Sequence, residues 1–247
     1  MAIHISDTPE QLGEAAAKQA SEVIRAAIAA NGKARIVLST GASQFQFFQA
    51  FVKQDIDWSK VEMFHLDEYV ALSENHIASF RKYLKERFTD VVSPAKAYFV
   101  NGEGDVAANI RELTEEIRKA PVDLALIGIG ENSHIAFNDP PANFDTKEAY
   151  IVVDLDDACK NQQVGEGWFA TIDDVPKQAI SMTVYQIMQA KTIISCVPHQ
   201  VKANAVRLTL ESELSNLVPS TMLKTHADWS LYVDRASASL IDSSVAR

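Results

Sequence analysis

The chain has 247 residues, 47% of them hydrophobic and 23% charged, and its 33 acidic against 23 basic residues give a net charge of −10. This composition is typical of a globular protein and excludes collagen-like and wholly disordered chains. The acidic balance argues against a nucleic acid or an anionic membrane as the partner, although a local site for a small anion remains compatible with it. No signal-peptide pattern and no apolar run of about 18 residues is present, so we expect a cytoplasmic protein.

Hydrophobic periodicity predicts an alternation of helices and strands. We treat residues 1–247 as a single domain because no Pro/Gly/Ser-rich linker interrupts them. Alternation of this kind predicts an α/β fold, with an open, mostly parallel, Rossmann-like sheet covered by helices on both faces. In chain order the predicted elements are a helix capped by Thr8 and ending at Asn31-Gly32, strand 34–39, helix 44–53, strand 61–66, helix 76–88, strand 95–100, helix 105–119, strands 122–128, 150–155, 178–183 and 191–197, helix 201–210 and strand 229–234.

Ligands of such sheets bind beyond the carboxyl ends of the strands, so the loops after 34–39, 61–66 and 122–128 are the candidate site. The first loop reads Ser39-Thr40-Gly41-Ala42-Ser43. Small side chains and free N–H groups at the start of a helix can hold a phosphate. The alternative is an ordinary helix cap by Ser39 or Ser43. A Gly-Lys-Ser/Thr segment is missing, so the loop is not a Walker A motif.

The second loop begins with two carboxylates, Asp67 and Glu68, followed by Tyr69. A carboxylate at the carboxyl end of a strand is well placed for proton transfer. Neighbouring residues in an extended chain point in opposite directions, so we expect only one of the two to face the cleft. The alternative is a solvated acidic turn.

The third loop, residues 128–141, has two glycines spaced as in a dinucleotide-binding motif. Ser133 stands where the third glycine belongs, and Pro140-Pro141 would stop the helix that such a motif requires, so we exclude a nicotinamide cofactor. The loop also holds a histidine and a carboxylate, His134 and Asp139, with an amide at Asn132. A carboxylate can orient a histidine and raise its basicity. The alternative is a structural histidine.

Lys202 lies in the first turn of a predicted helix, where a cation opposes the helix dipole unless an anion is near. This position suggests a second phosphate contact; an ordinary surface lysine is the alternative. The two cysteines, Cys159 and Cys196, are too few for a disulfide framework. Neither a His-x-x-x-His nor a Cys-x-x-Cys pair occurs, so the sequence does not support a zinc site.

These motifs resemble those of the glucosamine-6-phosphate deaminase (isomerase) family, which is related to the 6-phosphogluconolactonases. The resemblance is carried by LSTGAS (38–43), FHLDEY (64–69), IGIGENSHIAFNDP (127–140), VPKQAISMT (175–183) and Lys202. It implies an enzyme of amino-sugar catabolism that converts glucosamine 6-phosphate and water to fructose 6-phosphate and ammonia, without a metal or organic cofactor. The implied partner is a small sugar phosphate, and a homo-oligomer is compatible with the sequence.

The resemblance also implies roles for single residues. Asp67 matches the base that moves a proton from C2 to C1 through an enolamine, and His134 matches the group that opens the pyranose ring. Asp139 matches the acid that supports this histidine, and Asn132 stands at a position that is Asp or Asn in the family. The loop 40–43 and Lys202 match the phosphate cradle.

Three positions depart from the family pattern. Ser133 replaces the usual Gly, and Asp139 replaces the usual Glu, so we expect the shorter side chain to need a backbone shift or a bridging water. Gln163 stands where the family has an arginine that binds phosphate. The departures leave alternatives open: a deaminase for another amino-sugar phosphate such as galactosamine 6-phosphate, a 6-phosphogluconolactonase-like hydrolase with His134 as its base, or a sugar-phosphate sensor without catalysis.

Overall fold

The structure is a computed structural model, and it describes residues 1–242. Strands and helices alternate along most of this range, as the hydrophobic pattern predicts. The strands are β1 (Ala2–Ser6), β2 (Ala34–Leu38), β3 (Val61–His65), β4 (Asp67–Tyr69), β5 (Lys96–Tyr98), β6 (Leu124–Leu126), β7 (Tyr150–Asp154), β8 (Gln178–Met182), β9 (Thr192–Val197) and β10 (Trp229–Asp234). The helices are α1 (Pro9–Asn31), α2 (Phe45–Phe51), α3 (Phe80–Leu84), α4 (Asp90–Val92), α5 (Val106–Arg118), α6 (Asp157–Gly165), α7 (Val184–Ile187) and α8 (Ala203–Glu211).

Within residues 1–242, seven parallel strands form the main sheet in the order β1-β10-β9-β6-β2-β3-β5. The direction of winding reverses between β2 and β6. From β2 the chain moves outward to β3 and β5, whereas from β6 it moves to β9 and β10 on the other side. Loops that leave the carboxyl ends of two such strands turn away from each other and open a crevice, which is where ligands bind in open α/β sheets.

Both faces of the main sheet are buried, which explains the continuous apolar runs in its strands. Successive residues of β2 show the alternation, since Ile36 and Leu38 pack with α1 and α2, whereas Val37 packs with α5 and α8. The start of α1 is the predicted one, because the Thr8 hydroxyl accepts a hydrogen bond of 3.3 Å from the Gln11 N–H. The predicted fold class is therefore confirmed.

A second, antiparallel sheet of three described strands, β4-β8-β7, was not predicted as a separate unit. The chain passes from β3 to β4 through Leu66 alone, which is too short for the crossover that a parallel strand would need. The Met182 N–H donates to the Leu66 carbonyl at 2.9 Å and joins the two sheets at this point. The small sheet therefore starts at the end of β3, beside the crevice.

Several boundaries differ from the sequence pattern. The helix predicted from residue 76 begins at Phe80, because Ser79 is its N-cap and accepts a hydrogen bond from the Lys82 N–H. The helix predicted from residue 201 begins at Ala203, after a short 3-10 turn that contains Lys202. Strand β1 and helices α4, α6 and α7 were not predicted. Among residues 1–242, no helix combines the length and the apolar character needed to cross a membrane.

Candidate functional site

The crevice between β2 and β6 is a cleft with about 590 Å³ of space not filled by protein atoms. All three predicted loops contribute to it. The first loop supplies all five of its residues, the second supplies Asp67, and the third supplies Gly128, Gly130 and His134. Lys202 also lines the cleft, and Phe80 and Phe137 add apolar surface. Segments that are far apart in the sequence therefore meet in one cleft.

The imidazole of His134 is fixed by two neighbours on its Nδ1 side. Nδ1 lies 2.6 Å from Asn132 Oδ1 and 3.1 Å from Asp139 Oδ1. The Asn132 amide donates to the same Asp139 oxygen at 3.1 Å, which turns its own oxygen toward the ring. Two acceptors on one side require Nδ1 to carry the proton, so Nε2 is left as the acceptor. The ring can therefore take up and return a proton through Nε2.

Asp139 reaches His134 directly, so its shorter side chain does not prevent the contact that the family's Glu implies. Burial works to raise the pKa of Asp139, but the hydrogen bonds and charge of His134, together with the Asn132 amide, outweigh it and hold the pKa below its usual value. Asp139 is therefore a carboxylate at neutral pH.

Gly130 is required by the position of the imidazole. A Cβ at residue 130 would lie 2.2 Å from both Nε2 and Cε1 of His134, far inside van der Waals contact. The ring therefore packs directly on the Gly130 backbone. Ser133, which precedes the histidine, has a φ of 69° and a buried hydroxyl without a hydrogen-bond partner among residues 1–242. This backbone conformation explains why glycine would fit better at residue 133.

Asp67 and Glu68 point to opposite sides, as predicted. Asp67 lines the cleft, and its carboxylate accepts no hydrogen bond from any residue in the described range. Burial, with a contribution from the charge of Glu68, raises the pKa of Asp67 well above its usual value. Glu68 is fully buried and accepts hydrogen bonds from the Ser79 hydroxyl and the Arg81 N–H, at 2.8 and 2.9 Å. Asp67 is thus available for proton transfer, whereas Glu68 organises the start of α3.

Strand β8 holds the Asp67 strand and the His134 loop in register. Asp67 pairs with Ser181 of β8, and the Ser181 hydroxyl accepts a hydrogen bond of 3.1 Å from the Phe137 N–H. The Asn138 amide donates to the Met182 carbonyl at 2.9 Å. The small antiparallel sheet is therefore the element that brings the two candidate catalytic segments to the same cleft.

Lys202 and the first loop make the cleft suited to an anion. Among residues 1–242, Lys202 is the only lysine or arginine that lines the cleft, and its ammonium group is buried without an ion pair. Burial lowers the pKa of Lys202, while the charges of Glu166 and Glu131 act in the opposite direction. The N–H groups of residues 40–43 donate to no protein acceptor in the described range. A buried ammonium and free N–H groups favour a bound phosphate.

Helix α6 and the residue that follows it also contribute to the cleft, and among these residues the sequence pointed only to Gln163. Gln162, Gln163 and Glu166 line the cleft. Gln163 accepts a hydrogen bond of 2.8 Å from the Tyr69 hydroxyl, so it fills the position of the family's arginine with a neutral group. A signal for this helix exists, since the Asp156 side chain caps it through the Cys159 N–H at 2.7 Å. Among the described residues no cluster of three or more His, Cys, Asp or Glu could hold a metal ion.

The fold and the cleft define a parallel α/β protein with acid–base groups and a buried cation between β2 and β6, where the direction of winding reverses. Residues 7–231 match the family described as glucosamine-6-phosphate isomerases/6-phosphogluconolactonase. The chain is 35% identical over 211 residues to a glucosamine-6-phosphate deaminase of Streptococcus suis (strain 05ZYH33), a match that covers 85% of this chain and 88% of the relative. It is 34% identical over 205 residues to that of Latilactobacillus sakei subsp. sakei (strain 23K), with coverage of 83% and 86%.

Solved structures agree with this assignment. A monomeric glucosamine-6-phosphate deaminase superposes with a TM-score of 0.88 at 28% identity, covering 97% of this chain and all of that one. A 6-phosphogluconolactonase from Shewanella baltica OS155 superposes with a TM-score of 0.78 at 19% identity, covering 95% and 97%, which supports the fold alone. The chain belongs to the glucosamine-6-phosphate isomerase/6-phosphogluconolactonase family.

Proposed function

We propose that the chain is a hexosamine-6-phosphate deaminase that converts glucosamine 6-phosphate and water to fructose 6-phosphate and ammonia. One observation carries the proposal: Asp67, whose carboxylate accepts no hydrogen bond from residues 1–242, and the oriented imidazole of His134 line the same cleft as the buried ammonium of Lys202. Relatives named as glucosamine-6-phosphate deaminases cover most of the chain and support it. We further propose one catalytic domain that acts in the cytoplasm.

The phosphate is the anchor of the substrate in this proposal. The N–H groups of Thr40–Ser43 and the Lys202 ammonium bind its oxygens. Ser39 and Ser43 of the same loop also line the cleft. Binding at the phosphate fixes the sugar carbons against the acid–base groups, so binding energy remote from C2 serves orientation.

Ring opening is assigned to His134. Its unprotonated Nε2 accepts the proton of the C1 hydroxyl, and the resulting imidazolium returns a proton to the ring oxygen. Asp139 and Asn132 support this cycle, because the Asp139 carboxylate stabilises the charged ring and the Asn132 oxygen keeps Nδ1 protonated. The product of the step is the open-chain amino aldehyde.

The isomerisation is assigned to Asp67. Its carboxylate removes the C2 proton while a proton of the substrate's ammonium group moves to O1, which gives the enolamine, and Asp67 then delivers its proton to C1. The resulting C2 iminium adds water and releases ammonia, leaving the C2 ketone of fructose 6-phosphate. A carboxylate whose pKa is raised by burial is a stronger base than one in water, which suits the removal of a carbon-bound proton.

The proposal is tested by incubating the purified chain separately with glucosamine 6-phosphate, galactosamine 6-phosphate and 6-phosphogluconolactone. We expect ammonia and fructose 6-phosphate in equal amounts from the first compound. Ammonia from galactosamine 6-phosphate alone would identify the other epimer as the substrate. Lactone opening without any deamination would refute the proposal in favour of the hydrolase. Stabilisation by all three compounds without turnover would refute it in favour of a sensor.

A further inference from the structure

Glu166 is a cleft residue that the proposed chemistry does not use. It directly follows helix α6, is half-buried, and lines the same cleft as Lys202 and Asp67. We propose that Glu166 determines specificity by binding the ammonium group of the substrate, so that the cleft selects zwitterionic amino-sugar phosphates over neutral or acidic sugar phosphates. This inference rests on the proposed function and concerns how the same site recognises its substrate.

The carboxylate of Glu166 is held in a defined position. One oxygen accepts a hydrogen bond of 2.8 Å from the Gln162 amide, and the other accepts one of 3.0 Å from the Trp168 indole N–H. Two neutral donors orient the group without cancelling its charge. No described lysine or arginine forms an ion pair with it. A fixed carboxylate in a cleft, without a salt bridge to any described lysine or arginine, is suited to a cation brought by the ligand.

The balance of charge in the cleft leads to the same conclusion. Lys202 is the only lysine or arginine among the cleft-lining residues in the described range, whereas Asp67 and Glu166 are both acidic. A purely anionic sugar phosphate would share the cleft with the Glu166 carboxylate, and the repulsion between the two negative charges costs affinity. A substrate that also carries an ammonium group removes this repulsion. The acidic residue that weakens phosphate binding thus becomes favourable when the sugar has an amine.

Asp67 is a poor alternative partner for the amine. An ammonium group bonded to a carboxylate lowers the basicity of that carboxylate, and Asp67 has to take a proton from carbon. A second carboxylate allows the two tasks to be separated. Glu166 and Asp67 line the same cleft, so a substrate bound there can meet both carboxylates.

The test uses two open-chain probes that cannot be turned over: 2-amino-2-deoxyglucitol 6-phosphate, which has the amine, and glucitol 6-phosphate, which has a hydroxyl in its place. Their dissociation constants are measured by calorimetry for the wild type, Glu166→Gln and Glu131→Gln. The second variant is the matched control, because Glu131 also acts on Lys202 but does not line the cleft. A charged hydrogen bond of this kind corresponds to a preference of roughly 10-fold or more.

We expect the wild type and Glu131→Gln to prefer the amine by about 10-fold or more, and Glu166→Gln to lose the preference while binding glucitol 6-phosphate at least as well as the wild type does. A preference retained in Glu166→Gln, or lost equally in both variants, would overturn the inference. Equal binding of both probes by the wild type would overturn it while leaving the deaminase proposal intact. Binding of neither probe would instead refute the sugar-phosphate site itself, and the inference with it.

Discussion

Gly130→Ala would disturb the candidate site strongly, because the imidazole of His134 occupies the space of the new Cβ. The new Cβ would lie 2.2 Å from His134 Nε2 and Cε1, where ordinary contact begins at 3.4 Å, so the ring must withdraw by about 1 Å. Such a movement breaks the 2.6 and 3.1 Å contacts of Nδ1 with Asn132 and Asp139. A misplacement of about 1 Å costs on the order of 10²-fold in turnover, and we expect a loss of this size in kcat for ammonia release.

Two controls separate this effect from a general loss of structure. Gly165→Ala places a Cβ where no atom lies within 4 Å, and we expect activity equal to that of the wild type. In a His134→Ala background the ring is absent, so adding Gly130→Ala should cause no further loss of activity. Activity of Gly130→Ala within about 3-fold of the wild type would show that the new Cβ does not displace the His134 ring. A full additional loss of activity in the double variant would show that the effect does not act through His134.

Three further predictions concern stability and phosphate binding. Ser133→Gly relieves a positive φ and removes a buried hydroxyl that has no partner among the described residues. Because these gains outweigh the added entropy of the unfolded chain, Tm should rise by about 3–6 °C. An unchanged or lower Tm would contradict this. Asp67→Asn should raise Tm, and the gain should grow as the pH rises from about 4. The raised pKa of Asp67 in the folded state means that the wild type loses stability as the pH rises, whereas the Asn variant does not. A gain in Tm that becomes smaller at higher pH would contradict this prediction. Lys202→Met should increase KM for the sugar phosphate by roughly 10- to 100-fold without lowering Tm, and an unchanged KM would remove Lys202 from the phosphate site.

The parallel sheet could be predicted from the sequence because its strands are buried on both faces and appear as continuous apolar runs. The small antiparallel sheet could not, since Asp67–Tyr69 is too short and too polar to show a strand pattern, and its pairing with Ser181 is a long-range contact. Helix α6 was missed because its polar sequence shows no apolar face over the nine residues Asp157–Gly165. Local pattern thus predicted the elements with a strong hydrophobic period and missed those fixed by tertiary contacts.

The sequence could predict those site residues that come directly after the carboxyl ends of strands. Parallel strands place these ends at one edge of the sheet, and the loops after β2, β3 and β6 line one crevice there. The sequence could not show that Asn132 lies closer to the His134 ring than Asp139 does, nor that Glu166 enters the cleft. Both depend on side-chain geometry within loops, where spacing along the chain does not determine distance.

In the proposed mechanism, Asp67 moves a carbon-bound proton of a sugar phosphate held in this cleft. The most direct measurement combines ammonia release and substrate affinity for the wild type and Asp67→Asn with glucosamine 6-phosphate. Because removal of a general base typically costs 10²–10⁴-fold, we expect the variant to lose turnover by about this factor while it binds the substrate within a few-fold of the wild type. Turnover by Asp67→Asn above roughly a tenth of the wild-type rate would contradict the account.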